Sequence, residues 1–174
     1  MTFHSIVRQW CKAYKFMLDN PKDRRFFLTD STAGVVELAK GASLKNSPCV
    51  IMESTVEGGG KLTRPQRNYP IYFFVRAKKA ADGDAAAVAK EEAWMHAQNF
   101  ISWLLVKREE ELGRNYDGDF ARINLDDAYL DIQTIGPLEN AWFAVMIQFE
   151  REEPLNLCID ESLYPCGCEC DCDE

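Results

Sequence analysis

Four cysteines alternate near the carboxyl end of the chain, Cys166, Cys168, Cys170 and Cys172 in the stretch PCGCECDCDE. In an extended backbone their thiols would all fall on one side. Two sulfurs of a Cys-x-Cys pair can bind one soft metal ion, and the acidic spacers would concentrate cations nearby. The spacing nonetheless matches no standard zinc pattern, no histidine accompanies it, and the segment sits at a terminus. The preferred reading is a contact segment, with Leu155, Leu157, Ile159, Leu163 and Tyr164 as apolar anchors between Pro154 and Pro165. Metal–thiolate binding by the four cysteines is the alternative.

The remaining inventory is poor in catalytic groups. His4 and His96 stand alone, and the His96 neighbourhood in a helical pattern suits a surface or satisfied structural histidine. No nucleophile elbow of the form G-x-S-x-G occurs. The run GGGK invites a phosphate-loop reading, but Lys61 is followed by Leu62 and Thr55 stands where the first glycine belongs. Asp117, Asp119, Asp126 and Asp127 lack the spacing and closing glutamate of a calcium loop and read as a solvated acidic connection. The chain is therefore expected to be no enzyme and to need no cofactor. A small α+β enzyme or ligand-binding domain is the least favoured reading, for want of converging polar residues.

One basic segment stands out. Glu57 to Asn68, EGGGKLTRPQRN, combines three glycines with Lys61, Arg64 and Arg67 and carries no acid after Glu57. As a hairpin loop it is longer than folding needs. The plain reading is a solvated tip. The functional one is an arm that grips an adjacent subunit or faces nucleic acid.

These residues need elements to hold them. A chain of 174 residues, 47% apolar and 28% charged, suits one globular domain with a real core. No apolar run reaches membrane-spanning length, and the amino end lacks signal-peptide features, so an unsecreted chain with reduced thiols is expected. Of the net charge of −8, residues 158–174 hold −6, which leaves −2 for the rest. A nearly neutral body argues against a general nucleic-acid footprint.

The organising element is Asp82 to Gly113, expected as one helix of about 28 residues. Ala89, Ala93, Ala97, Phe100 and Leu104 recur at steps of three or four, widened by Val88, Ile101, Leu105 and Leu112. Asp84 would cap it and Gly113 end it. A first helix is expected from Thr2 or Ser5 to Asp19, stopped at Asn20-Pro21. A short extended piece over 24–29 follows, then a short helix capped by Asp30 or Ser31 and ending before Gly41, although AGVVELAK would also serve as a strand. Strands are expected over 48–56, 69–78, 128–135 and 141–150, with 136–140 as the last turn. Ile71 to Val75 is apolar on both faces and should be central. Tyr72, Phe74, Trp142 and Met146 would lie exposed on the second face unless a helix covers it. The result is an α+β, two-layer domain over residues 1–153. Its antiparallel sheet is built from two β-hairpins, with the long helix and the N-terminal helix on one face. Residues 154–174 are an extended Cys-rich acidic tail.

The order helix (FHSIVRQWCKAYKFML), hairpin with a long loop (PCVIMESTVEGGGKLTRPQRNYPIYFFVRA), long helix (AKEEAWMHAQNFISWLL) and hairpin (AYLDIQTIGPLENAWFAVMIQFE) resembles the tail terminator or tail completion proteins of long-tailed bacteriophages. The resemblance covers roughly residues 3–150 and rests on element order and pattern rather than a signature motif. It implies a structural virion protein, assembled in the bacterial host cytoplasm, forming a ring, a hexamer, at the head-proximal end of the tail tube. Its partners would be copies of itself, the tail tube protein and neck or connector proteins, with passing contact with packaged DNA and no membrane. A different neck or connector ring protein is a further alternative. The resemblance implies no catalytic residues and gives Lys61, Arg64 and Arg67 a role in subunit or lumen contacts. The Cys-rich tail departs from the family pattern.

Overall fold

The computed structural model describes residues 2–40, 44–54, 58–61, 64–78, 82–113, 118–126, 130–138 and 141–152. Its elements in order are α1 (Phe3–Ala13), β1 (Phe26–Thr29), α2 (Thr32–Lys40), β2 (Cys49–Glu53), β3 (Gly58–Lys61), β4 (Arg64–Arg76), α3 (Gly83–Leu112), β5 (Ile123–Asn124), β6 (Asp131–Leu138) and β7 (Trp142–Glu152). The strands form one seven-stranded sheet in the order β1-β2-β4-β7-β5, with β3 also on β4 and β6 also on β7. This is an α+β fold, as the sequence led us to expect.

The layout departs from the expected one in two respects. The sheet is mixed, because β1 runs parallel to β2, from Phe26 opposite Val50 to Thr29 opposite Glu53. Parallel neighbours need a crossover, and α2 supplies it. The crossover also places a helix on the second face, so the domain has helices on both sides of its sheet. Val35 and Ala39 of α2 are buried in one cluster with Phe27, Cys49, Ile51, Tyr72, Phe74, Trp142 and Met146. Tyr72, Phe74, Trp142 and Met146 are therefore buried within the single chain, because a helix does cover this face.

The first face carries the larger core. Strand alternation sends Ile71, Phe73 and Val75 of β4 and Phe143, Val145, Ile147 and Phe149 of β7 to this side. There Ala89, Ala93, Ala97, Phe100 and Leu104 of α3 meet them, the stripe expected from sequence. The alanines let the first half of α3 lie close to the sheet. Trp10 of α1 then fills the widening gap, its ring centroid 5.1 Å from Phe100 and 5.9 Å from Phe73, both edge to face. Val88 and Leu105, expected to widen the stripe, point to solvent instead. Asp82, not Asp84, caps α3, its carboxylate accepting from the backbone N–H groups of Asp84 and Ala85. Helix α1 is shorter than expected and ends at Ala13, although Met17 still reaches the core. The short helix α2 forms where expected, with the Ser31 hydroxyl accepting from the Gly34 N–H.

β4 is central, flanked by β2 and β7 along Ile71–Phe74. It is also longer than expected. The segment read as a loop is largely ladder: Gly58 to Lys61 pairs with Arg64 to Arg67, and β7 accompanies β4 out to Glu152 opposite Gln66. β6 likewise runs through Gly136-Pro137 to Leu138 with an irregularity after Ile135, where a turn was expected. Gly136 has φ +123, and an added Cβ would meet the Trp142 carbonyl at 2.9 Å, so only glycine fits there.

Candidate functional site

The second face of the sheet is only partly covered. Between the amino end of α2 and strand β6 lies a trough of about 690 Å³, floored by β4 and β7. Alternation fixes which residues line it: Asn68, Pro70, Tyr72 and Phe74 from β4, with Met146 and Gln148 from β7. β6 contributes Gln133 and Ile135 to one wall, and Val35 and Val36 of α2 stand on the other. The lining is apolar at its centre and amide-bearing at its rim.

Glu53 is the feature that sequence reasoning missed. It ends β2 on the trough face and is 6% exposed. Its Oε1 accepts hydrogen bonds from the Thr32 hydroxyl, at 3.0 Å, and from the Tyr72 hydroxyl. Both donors converge on one oxygen, and Oε2 accepts nothing from any described residue. Burial, and then the bond to Glu53, push the Tyr72 phenol well above its ordinary range, so it remains a neutral donor. Thr32 opens α2, where the helix carries its positive partial charge, which favours a carboxylate at that place. The signal in the sequence was an acid at the end of PCVIME, a run otherwise apolar on both faces.

The basic segment becomes a β-arm. Its two strands pair antiparallel, and Lys61 and Arg64 are opposite each other at its end. The structure describes the backbone at these two positions. Arg67 is exposed, on the same side of β4 as Tyr69 and hence on the face opposite the trough. Its guanidinium takes no hydrogen bond or ion pair among the described residues. The three basic positions thus lie on one β3–β4 ribbon. Leu155, Leu157, Ile159, Tyr164 and the cysteines Cys166, Cys168, Cys170 and Cys172 fall outside the described residues.

Other candidates resolve into structure. Cys11 and Cys49 are buried free thiols, and burial pushes both up from their ordinary range, so they are inert packing groups. Asp119 accepts from the buried Arg151 guanidinium at 2.8 Å, a structural pair on the first face. His96 is buried, its Nδ1 3.0 Å from the Tyr14 hydroxyl and its Nε2 3.6 Å from Glu92 Oε1. Among the described residues no group of three metal-ligating side chains forms, and no helix is long and apolar enough to cross a membrane.

In comparisons with known proteins, no family model matches the chain and no curated protein matches it.

Proposed function

We propose that the chain is a ring-forming structural protein of a phage tail, the terminator at the head-proximal end of the tail tube. The observation that carries this reading is the β-arm, in which β3 pairs with Arg64–Arg67 of β4 and brings three basic positions onto one ribbon. A ring subunit has to reach its neighbour, and closed rings arise from two different surfaces of one molecule meeting repeatedly about an axis. The rigid sheet with α1 and α3 on one side and α2 on the other is a wedge suited to such packing. Val88, Trp94, Met95, Leu105 and Val106 add exposed apolar area along the outer side of α3, as partner contacts require. Resemblance in element order to tail terminators supports the same role, and a structural role needs no catalytic constellation.

Native mass is the first test. A ring, hexameric by the resemblance, is expected, and a protein that stays monomeric at every concentration would sink the proposal. Replacing Lys61, Arg64 and Arg67 together with Ser should leave the thermal transition within about 0.5 kcal/mol of wild type if the three serve contacts rather than the fold. The same variant should fail to form rings or to join heads to tails. Normal particles from that variant would reduce the arm to a solvated tip.

A further inference from the structure

We propose that the trough on the second face receives a guanidinium from the β-arm of a second copy of this chain, Arg67 foremost, held by the open oxygen of Glu53. The inference rests on the ring reading and names the surfaces that would meet. Four observations on the two surfaces fit together.

The acceptor is built and unfilled in its chemistry. Glu53 is 94% buried by its 6% exposure, its Oε1 is fixed by two hydroxyls, and Oε2 has no partner among the described residues. That oxygen faces the hollow, where an incoming guanidinium could add charge-assisted hydrogen bonds to it. The trough around it suits an arginine side chain. Its partly exposed Val36, Pro70, Ile135 and Leu138 can pack an aliphatic stem, while Gln133 and Gln148 offer carbonyls to the remaining N–H groups. The charged lining residues are Asp30 and Glu53, with no Lys or Arg among them. A neutral apolar guest would leave Oε2 unpaired, and an anion would be repelled.

The donor lies on the same molecule but cannot reach its own trough. Arg67 projects from the opposite face of β4, exposed and unengaged among the described residues. A donor on one face and its acceptor on the other cannot satisfy each other within one sheet. They can do so between copies stacked head to tail, which is the heterologous geometry that closes a ring.

The test uses Glu53→Gln and Arg67→Gln in the full chain, read by sedimentation. The glutamine keeps an amide oxygen for the Thr32 and Tyr72 hydroxyls, so both variants should retain the wild-type circular dichroism and a cooperative thermal transition. Each variant alone should self-associate at least about tenfold more weakly than wild type. In an equimolar mixture, the Arg67 of one variant meets the Glu53 of the other, so pairs should form and larger rings should not. A purely structural Glu53 predicts wild-type association of Glu53→Gln, and that result overturns the proposal, as does a mixture no more associated than its components.

A second measurement separates the pocket from the partner. N-acetyl-arginine methylamide, titrated into Arg67→Gln, should shift the side-chain amide NMR signals of Gln133 and Gln148. The neutral citrulline analogue should bind at least about tenfold more weakly, and so should arginine to the variant that also carries Glu53→Gln. Equal binding of the two ligands overturns the assigned chemistry. Should wild type prove monomeric while arginine still binds through Glu53, the ring reading and the second copy fall together, and the guanidinium must come from another source.

Discussion

The two faces of the sheet bury apolar surface by different means. On the first face α1 and α3 seal a continuous core in which aromatic rings of Phe3, Trp10, Phe73, Phe100 and Phe149 meet edge to face. On the second face one nine-residue helix does the covering, and it leaves a trough beside it. Each face also buries a polar group, with opposite provision. His96, beside Tyr14 and Phe16 in the turn after α1, has one hydrogen-bond partner and a carboxylate just out of range, whereas Glu53 has two hydroxyls on one oxygen and a hollow beside the other. The first face is arranged for stability. The second retains space and charge, as a contact surface must.

The largest expected difference between them comes from paired truncations on adjacent residues of β4. Phe73 points into the sealed core, so Phe73→Ala should cost about 4 kcal/mol through a cavity that cannot collapse. Phe74 lines the trough, so part of the volume lost in Phe74→Ala opens into an existing hollow, and about 3 kcal/mol is expected. Urea unfolding of the two variants checks the order. A Phe74→Ala loss equal to or larger than that of Phe73→Ala would mean that the faces are equally sealed.

A smaller effect should follow from Tyr72→Phe, which removes one of the two hydroxyls on Glu53 Oε1. Hydrogen bonds to charged groups are worth roughly 1.5–3 kcal/mol. The open side of the trough admits water to replace the donor, so about 1.5 kcal/mol is expected. The loss should be absent when the change is made in Glu53→Leu, because the pair then has nothing left to lose. An equal loss in both backgrounds would show that the hydroxyl acts elsewhere.

The inner stripe of α3 was legible because alanines, then Phe100 and Leu104, repeat at helical spacing. Its margins were drawn too wide. Val88 and Leu105 are as apolar as their buried neighbours, but at about 100° per residue they stand more than about 90° from the centre of the stripe, on the solvent side of the helix. The centrality of β4 was legible from a run apolar on both faces, and that same run required something on the second face. Which helix would provide it depended on the parallel pairing of Phe26–Thr29 with β2, four residues without a pattern of their own. The β-arm was missed for a related reason. Gly58–Lys61 has little strand propensity, and it is held as a strand by pairing with β4, which β7 extends from the other side. Of the candidate site, the basic positions could be read from composition. Glu53 could be seen only as an acid out of place until Thr32, from a different element, was found beside it.

The smallest expected effect concerns His96 and appears only with pH. Burial lowers its pKa below the ordinary 6.5, and Glu92, the nearest carboxylate, opposes the shift without cancelling it. The folded chain therefore holds the imidazole neutral where the unfolded chain has begun to protonate it. Its contribution to stability is fully present above about pH 6.5 and is lost as pH falls through the lowered folded value. The Tyr14 hydroxyl fits this neutral state, since it can donate to Nδ1 while Nε2 carries the proton towards Glu92. His96→Gln keeps a polar side chain but no titration. Between pH 7 and pH 5, wild type should lose more thermal stability than this variant does. On the other face, Glu53→Gln should leave the histidine-dependent difference untouched, because the sheet separates the two groups. A wild type and a His96→Gln variant that lose stability in parallel over that range would show that the imidazole is solvated, and the first face less sealed than its packing indicates.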